Sequence, residues 1–386
     1  MKYLEKLLQG VQVEWKPLGD VCELKRGRVM SKTYLAENAG QYSVYSSQTA
    51  NNGEIGKIKT YDFDGETVTW TTDGANAGTV FHRKGKFSIT NVCGLIKIND
   101  LEKLDYKYLF YWLSIEAKKH VYSGMGNPKL MSNQMAKVPI PIPPLSVQKE
   151  IVRILDTFTE LTTELTTELT ARKKQYSFYR EKLLTFKDNE VEWKTLGEVI
   201  IKTYSGSTPK SGNPKYYNNG TIPWLRTQEV KFTDIVTTDI KITEFAVDNT
   251  ATKWIPINCV IIAISGATAG RSAINKIPLT TNQHCLCLEI NSKKALYRYV
   301  FHWVSFNYEN LKGLGRGARG DLNSSIIKNY KIPIPPLKEQ ERIVSILDKF
   351  DTLTTSISEG LPKEIELRKK QYEYYREMLL TFPKPE

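Results

Sequence analysis

The most constraining feature of the chain is a long internal repeat. Six pairs of matching segments keep their order: VEWKPLG (13–19) with VEWKTLG (191–197), GANAG (74–78) with GATAG (266–270), YKYLFYWL (106–113) with YRYVFHWV (297–304), IPIPPL (140–145 and 332–337), QKEIVRILDTF (148–158) with QERIVSILDKF (340–350), and RKKQYSFYREKLLTF (172–186) with RKKQYEYYREMLLTF (368–382). The separation grows from 178 to 196 residues along the chain, so insertions distinguish the copies. The repeat predicts two similar globular halves, each followed by a similar helical segment.

A partial third copy lies at the N-terminus. YLEKLL at 3–8 matches YREKLL at 179–184, so the chain begins with the end of a helical unit. This circular permutation predicts that the N-terminal segment packs beside the C-terminal helix and closes the chain into a pseudo-twofold object. An ordinary tandem duplication of an α+β domain would explain two copies but not the third fragment.

Each IPIPPL segment precedes the pattern of a long amphipathic helix. From Ser146 to Phe186 apolar residues recur mostly every three or four positions, and 41 continuous helical residues would extend roughly 60 Å. The copy at 338–382 contains Gly360 and Pro362, which should break or kink it. We expect the two helices to bury their stripes against each other, antiparallel. The alternative is that each globular half covers its own stripe.

The first helix contains a four-residue repeat, ELTTELTTELT at 160–170. Its simplest interpretation is a threonine-rich amphipathic helix. Adding or removing one TTEL would change the helix length by about 6 Å, nearly two base-pair steps of about 3.4 Å.

The globular halves combine short alternating strands with one helix each. The strands include TVTWTT (67–72), CVIIAI (259–264) and CLCLEI (285–290), and the helices lie around Tyr106 to His120 and Tyr297 to Leu311. The predicted fold class is α+β, with two mixed domains linked by two long helices. The predicted segments are an N-terminal helix end (1–13), a first domain (14–145), a central helical region (146–190), a second domain (191–337) and a C-terminal helical region (338–386).

Composition favours a polyanionic partner. The 54 Lys and Arg residues outnumber the 42 Asp and Glu residues, which gives a net charge of +12. Nucleic acid is the first candidate, although a solvated basic surface would give the same balance. No stretch approaches the ~20 apolar residues of a membrane span, and the N-terminus lacks a signal-peptide cleavage site. We therefore expect a soluble cytoplasmic protein.

Catalytic and metal-binding patterns are weak. Five cysteines without a CxxC pair argue against disulfides and structural zinc, and His284-Cys285-Leu286-Cys287 fits a buried strand better than a metal site. GRGARG at 315–320 matches GxGxxG but follows a helix, so it fails as a nucleotide-binding motif. The Glu229-x-Lys231 pair lacks the aspartate of a nuclease triad. We expect no catalytic residues and no bound metal.

Several segments together resemble the specificity subunit of Type I restriction-modification enzymes. They are the VEWKxLG openings, YSSQTANNG (45–53), TPKSGNPKYYNNGTIPWLRTQEV (208–230), the IPIPPL segments and the RKKQYxxYRE endings, and they cover essentially the whole chain. The resemblance implies that each globular half is a target recognition domain that reads one half of a split DNA sequence. It implies that the helices set the half-site separation and hold two methyltransferase subunits, which motor-nuclease subunits join.

By the same resemblance, the chain directs adenine methylation or ATP-dependent cleavage without performing either. S-adenosylmethionine, ATP and Mg²⁺ would then be bound by partner subunits and none by this chain. The competing interpretation is a stand-alone DNA-binding adaptor or orphan regulator without enzyme partners. An RNA-binding protein is disfavoured because neither half shows an RNP-type aromatic strand.

Polar and basic loop residues are the candidate base readers. In the first half they are Ser46, Ser47, Gln48, Asn51, Asn76, Asn127 and Lys129, and in the second half Lys210, Arg226, Thr227, Gln228, Arg271, Arg316 and Arg319. The duplicated RKKQY clusters suggest two equivalent partner-docking surfaces, although a solvated helix face is the simpler explanation. Their residues are Arg172, Lys173, Lys174 and Tyr176, and Arg368, Lys369, Lys370 and Tyr372.

Overall fold

The chain divides into two compact units. In the computed structural model, which describes residues 7, 9–124, 126–187, 189–315, 320–356 and 358–382, unit 1 comprises Met1–Leu165 and Glu364–Glu386, and unit 2 comprises Thr166–Lys363. Most of the YLEKLL segment lies outside the described residues. Leu7, however, packs against a core cluster that contains Leu379 and Leu380. The two ends of the chain therefore share one core, while closure around a pseudo-twofold axis stays a prediction.

The first globular half is built on a four-stranded antiparallel sheet. Its strands lie in the order Cys22–Arg26, Cys93–Ile98, Glu66–Thr71 and Val80–Lys84. Trp70 lies across the neighbouring strand at Gly94, where a Cβ atom would come within 2.2 Å of the indole ring. Only glycine fits there, and the close approach lets the Trp70 Nε1–H donate to the carbonyl of Leu130 at 2.9 Å.

A smaller sheet and several short helices complete this half. The three-stranded sheet has the order Glu54–Ile58, Ala39–Tyr45 and Phe87–Ile89, and its last pair is parallel. The helices are Leu18–Val21, Lys32–Glu37, Tyr106–Glu116 and Ser132–Met135, with 3₁₀ turns at Ala50–Gly53 and Ala117–His120. The predicted helix to His120 therefore ends as a 3₁₀ turn.

The second half repeats the sheet of the first with the same strand register. Val260 pairs with Leu288 and Ile274, as Val68 pairs with Ile96 and His82, so each partner is shifted by 192 residues. The strand order is Ile200–Tyr204, Cys285–Ile290, Val260–Ala263, Ser272–Asn275 and Asp234–Ile235. The fifth strand is an addition that pairs in parallel with Ser272–Asn275, and it belongs to the insertion in the second copy.

The remaining elements of the second half follow the same plan. The second sheet has the order Ile240–Ile242, Ile222–Leu225 and Thr280–Thr281. The helices are Leu196–Val199, Pro214–Tyr217, Glu244–Asp248, Tyr297–Phe306, Tyr308–Gly313 and Ser324–Asn329, with 3₁₀ turns at Thr227–Glu229 and Gly266–Thr268. The prediction of one helix to Leu311 is wrong in one respect: the helix is interrupted at Asn307, whose backbone angles (φ −91°, ψ 19°) leave the helical range, and a second helix begins at Tyr308.

Short two-stranded ribbons close each half. Glu14–Pro17 pairs with Pro139–Ile142, and Glu192–Thr195 pairs with Lys331–Ile334, both antiparallel. The IPIPPL segments therefore begin as strands, which proline tolerates because a two-stranded ribbon leaves half of the N–H groups unpaired. The ribbon brings the beginning and the end of each half together where the long helix starts.

The long helices have the predicted lengths and the predicted break. The central helix, Leu145–Leu184, is continuous, whereas its C-terminal counterpart consists of Leu337–Thr355 and Leu361–Leu379. Gly360 adopts a left-handed φ of +82°, and Pro362 lies in the first turn of the following helix. In the ELTT tract, Thr162 and Thr163 donate their hydroxyl hydrogens to carbonyls one turn earlier, which satisfies these side chains without interrupting the helix.

The apolar stripes of the long helices are buried both against each other and against the globular halves. Phe158 stacks on Tyr375 at 5.1 Å in unit 1, and Tyr176 and Tyr179 stack on Phe350 at 5.8 and 5.7 Å in unit 2. The same clusters contain residues of the neighbouring globular half. Helix contacts and domain contacts therefore share one core in each unit.

A buried glutamine fixes each globular half to the beginning of its long helix. Gln148 accepts from the Asp105 N–H (2.9 Å), and its Nε2 donates to the carbonyls of Lys103 (2.7 Å) and Pro143 (2.8 Å). Gln340 makes the corresponding bonds with Leu296, Lys294 and Pro335 (2.9, 3.4 and 2.8 Å). Both glutamines are fully buried, so their side chains depend on these bonds and have no contact with water.

Replacing either glutamine by methionine should destabilise the protein. Gln148→Met and Gln340→Met keep the side-chain size but remove the partner of one backbone N–H and two carbonyls, one of them in a buried bond, which should lower the free energy of unfolding by about 2–4 kcal/mol. Urea unfolding followed by tryptophan fluorescence measures the change. Glu341→Met at the neighbouring exposed position is the control, and equal midpoints for control and variants would contradict the role of the glutamines.

Candidate nucleic-acid interface

One end of the four-stranded sheet collects the predicted reading residues of the first half. The register places the ends of Cys22–Arg26 and Glu66–Thr71 beside the beginnings of Val80–Lys84 and Cys93–Ile98. Loops that leave these strands must therefore lie side by side. Backbone hydrogen bonds hold these loops together. The Thr72 N–H donates to the Val92 carbonyl (3.1 Å), the Leu130 N–H to the Thr72 carbonyl (2.9 Å), and the Thr90 N–H to the Tyr45 carbonyl (2.9 Å).

The loop 46–53 is a compact turn with its own hydrogen bonds. Asn51, Asn52 and Gly53 have left-handed φ values of 48°, 53° and 82°. The Ser46 N–H donates to the Gly53 carbonyl at 3.0 Å, and the Gln48 Nε2 donates to the Glu54 carbonyl at 2.5 Å. Asparagine and glycine tolerate these backbone angles, so the loop has a defined shape that presents the exposed Asn51 side chain.

Arg83 supports this loop from beneath. Its side chain is 3% exposed and lies with Cζ 3.6 Å from the ring centre of Tyr45 and 4.5 Å from that of Phe81. Its Nη2 donates to the Asn52 carbonyl at 2.7 Å, and its Nε donates to the Thr69 hydroxyl at 3.2 Å. Burial lowers the pKa of Arg83, since desolvation disfavours the charged form.

The other predicted residues of the first half lie on two adjoining loops. Asn76 lies in the turn between Glu66–Thr71 and Val80–Lys84, where its carbonyl accepts from the Thr79 N–H at 3.0 Å. Lys129 forms reciprocal backbone bonds with Tyr122 (2.9 and 3.0 Å), and the Gly74 N–H donates to Pro128 at 3.0 Å. Asn127 and Lys129 are exposed, so this pair of loops adds an amide and a cation beside the loop 46–53.

The second half places a corresponding set at the same end of its sheet. The Asn282 N–H donates to Leu225 (3.1 Å), as Thr90 donates to Tyr45, and the Leu322 N–H donates to Ile264 (2.8 Å), as Leu130 donates to Thr72. The residues after Leu225 therefore occupy the positions of those after Tyr45. Arg226, Thr227 and Gln228 correspond to Ser46, Ser47 and Gln48.

The arginine of this triplet is held by carboxylates. Arg226 lies 3.6 Å from Glu229 and 3.7 Å from Asp239, measured from its nitrogens to the carboxylate oxygens. With its amide oxygen toward Arg226, Gln228 accepts from both terminal nitrogens at 3.0 and 3.1 Å. The orientation of the Arg226 guanidinium is thus set by neighbouring carboxylate and amide groups.

The other predicted residues of the second half lie on other segments of the chain than Arg226. Lys210 is exposed in the loop after Ile200–Tyr204, and Arg271 ends the turn after Val260–Ala263, where its carbonyl accepts from the Ala263 N–H at 2.9 Å. Arg316 and Arg319 lie outside the described residues. Asp321, at the position of Lys129, accepts from the Gly266 N–H at 3.1 Å, so the two halves differ in charge there.

Two arginines at the first sheet end were not predicted. The Arg26 Nε donates to the Asn91 carbonyl at 3.1 Å, and Arg28 pairs with Asp62 at 3.1 Å. Arg28 also donates to the Tyr34 hydroxyl at 3.1 Å, and this bond, with the Asp62 carboxylate, raises the pKa of Arg28. The signal was the KRGR run at 25–28, which begins in the last two residues of the strand Cys22–Arg26.

The RKKQY clusters divide between buried and exposed faces. Tyr176 and Tyr372 turn toward the cores of their units, whereas Lys173 and Lys174 are exposed. Lys369 and Lys370 are also exposed, and Lys370 pairs with Glu366 at 2.5 Å. Arg172 and Arg368 each pair with a glutamate four residues earlier, at 3.2 and 3.3 Å. The lysine pairs are therefore the accessible part of each predicted docking surface.

One group in the described part of the chain has the composition of a metal site. His302, Asp348 and Asp351 bring their ligand atoms within 4.8 Å of one another. Arg298 already pairs with Asp348 at 2.6 Å, and this cation disfavours a second one. We interpret the group as an ion-pair network. The predicted buried strand is present: Cys285 and Cys287 are buried in Cys285–Ile290, and the exposed His284 precedes it.

No helix in the described residues is long and apolar enough to cross a membrane.

The comparisons with known proteins agree along the whole chain. A family model described as Type I restriction modification DNA specificity domain matches residues 11–173 and 189–367. The specificity subunit of the Escherichia coli type I restriction enzyme EcoR124I/EcoR124II is 39% identical over 408 residues, covering 100% of this chain and 98% of that protein. A putative type I specificity subunit of Mycoplasma pneumoniae is 34% identical, covering 96% and 98%.

The fold has a counterpart among solved structures. The S subunit of a Type-I restriction-modification system from M. genitalium superimposes with a TM-score of 0.66 at 16% identity, covering 97% of this chain and 98% of that one. At this identity the likeness concerns the fold alone.

Removing the Arg83 side-chain nitrogens should loosen the loop 46–53. Arg83→Met keeps the aliphatic packing but removes the bond to Asn52, so the Ser46 amide, which closes the loop, should exchange roughly 10- to 100-fold faster. Hydrogen–deuterium exchange measured by NMR follows this amide. Exposed Lys84→Met is the matched control. Unchanged exchange at Ser46 would show that the loop keeps its shape without Arg83.

Proposed function

The chain belongs to the type I restriction-modification DNA specificity family, and on this premise we propose that it reads a bipartite, asymmetric DNA sequence. Each half contributes one recognition domain, and its reading surface is the end of the sheet that carries the polar loops. The observation that carries the proposal is the equivalence of the two sheet ends: one framework carries two different sets of polar side chains.

The side chains at equivalent positions predict different half-sites. Gln48 and Gln228 occupy the same position, and glutamine can pair with both hydrogen-bonding groups of adenine in the major groove. The neighbouring Ser46 is replaced by Arg226, whose guanidinium suits the two acceptors of guanine. Two halves with unlike readers would bind a sequence without twofold symmetry.

The central helix supplies the connection between the two readings. It is a continuous element of 40 residues, and its ELTT tract satisfies its own polar side chains, so the helix can change length without losing hydrogen bonds. We infer that the number of tetrads sets the gap between half-sites. Half-site spacing follows from protein geometry in other DNA-binding proteins that read two half-sites.

The catalytic steps belong to partner subunits in this proposal. Two methyltransferase subunits would dock on the exposed lysine pairs Lys173-Lys174 and Lys369-Lys370, and motor-nuclease subunits would join them. Adenine methylation with S-adenosylmethionine, and cleavage with ATP and Mg²⁺, would take place on those subunits. A stand-alone DNA-binding adaptor is the second candidate, and it would purify without the two methyltransferase copies that the first predicts.

Substituting the equivalent glutamines should alter one half-site at a time. In cells that contain the methyltransferase, genome-wide methylation mapping with and without the chain should reveal one split motif that depends on it. Gln48→Ala should relax one half and Gln228→Ala the other, each by about 10- to 100-fold in discrimination. Lys97→Ala, exposed at the opposite end of the first sheet, is the control. A motif with no gap, or no motif at all, contradicts the proposed function.

Deleting one tetrad should shorten the gap between half-sites. Removal of Thr162 to Leu165 shortens the helix by about 6 Å and rotates its remaining C-terminal part by about 40°, so the preferred gap should fall by one or two base pairs. Methylation mapping gives the gap directly. The double variant Thr162→Ala, Thr163→Ala keeps the length and should keep the gap. A deletion variant that methylates the original gap would refute the spacer role.

A further inference from the structure

An aspartate on the central helix holds the helix of the first recognition domain. Asp156 accepts from the Lys107 Nζ at 2.5 Å and from the Tyr111 hydroxyl at 2.7 Å. Both donors lie on Tyr106–Glu116, one turn apart. Burial raises the pKa of Tyr111, and the hydrogen bond to Asp156 raises it further, so the hydroxyl remains a donor at neutral pH.

The second unit contains the same arrangement with different donors. Asp348, on Leu337–Thr355, accepts from Arg298 at 2.6 and 3.1 Å and from the His302 Nε2 at 2.6 Å. Asp348 is 192 residues after Asp156, and both donors are 191 residues after Lys107 and Tyr111. The geometry has therefore been retained in both copies while the donor side chains changed.

The second arrangement has further contacts. Arg298 also donates to Asp234, on the added strand, at 2.7 Å, and the His302 Nδ1 lies 3.9 Å from Asp351. Burial raises the pKa of Asp348, but the bonds from His302 and Arg298 outweigh it, so the net shift is downward and Asp348 is ionised at neutral pH. The added strand is thereby tied to the helix as well.

These contacts fix the orientation of each domain on its helix, which the apolar core between domain and helix does not do. Burial of apolar surface is non-directional and allows a domain to roll on a helix at little cost. Charge-assisted hydrogen bonds weaken steeply when their angles change. A domain of this size has a radius of gyration of about 14 Å, so a tilt of about 15° moves its surface by about 4 Å, near the ~3.4 Å rise of one base pair.

We propose that Asp156 and Asp348 are positioning residues that fix the tilt of each recognition domain on its long helix and so limit which half-site gaps the protein accepts. The inference rests on the proposed function. We call each aspartate with its two donors a clamp: Asp156 with Lys107 and Tyr111, and Asp348 with Arg298 and His302. Helix length sets the preferred gap, and the two clamps set how strongly the protein rejects other gaps. The bases read within each half-site do not depend on them.

The test uses the full chain with its methyltransferase subunits and a plasmid library in which only the gap between the half-sites varies. The expected result for Asp156→Asn and for Asp348→Asn is a change in one ratio, that of methylation at gaps one base pair longer or shorter than the optimum to methylation at the optimal gap. This ratio should rise about tenfold over that of the wild type. The half-site bases should remain those of the wild type. Exposed Glu160→Gln and Glu341→Gln, on the same helices, remove a carboxylate charge outside the clamps and should reproduce the wild-type profile.

Tyr111→Phe keeps the test decisive if the asparagine variants fail to accumulate, since it removes one hydrogen bond and retains the packed ring. It should broaden the profile by a few-fold. Gap profiles of wild-type width in the soluble clamp variants would overturn the inference while leaving the proposed function intact. A wild-type complex that methylates no split sequence, or all gaps equally, would instead refute the proposed function.

Discussion

A single helix whose apolar stripe is divided between two cores is the constraint on which the rest of this structure depends. The first part of Leu145–Leu184 contributes Ile151 and Leu155 to the core of unit 1, and its last turns contribute Leu184 to the core of unit 2. Neither core is complete without it. Because the stripe repeats with helical spacing, a gain or loss of one four-residue tetrad returns the stripe to within about 40° of its original face.

Each globular half separates a shared framework from a variable surface. Bonds that hold the backbone match between the halves. The strand register and the loop bonds at the sheet ends join backbone to backbone, and the buried side chains of Gln148 and Gln340 bond to equivalent backbone groups. Positions that present side chains beyond this framework differ, as Ser46 and Arg226 do. Backbone bonds are insensitive to side-chain identity, so the framework can remain while the surface changes.

The repeat made much of the fold predictable, because each copy of the pattern can be checked against the other. The α+β class, the continuous central helix and the break at Gly360 followed from periodicity and from proline and glycine chemistry. The interruption of the second domain helix at Asn307 did not, since it consists of one residue with non-helical backbone angles in a segment whose sequence pattern is helical throughout. Arg83 was missed for a similar reason. It lies on a strand as one arginine among many, and only the packing of Tyr45 and Phe81 around it distinguishes it.

The equivalence of Arg226 with Ser46 shows where sequence comparison within the chain reaches its limit. The two triplets share only their glutamine, and the shift between the copies changes from 178 to 192 residues around them, so alignment by similarity gives no secure match. The backbone bonds from Thr90 and Asn282 resolve it, because both donate to the residue immediately before the triplet. The side chains of the two halves are therefore best compared by position on the shared sheet end. An arginine near Glu229 and Asp239 and a serine bonded to Thr90 then occupy one structural position, and in the proposed function they would meet different base edges.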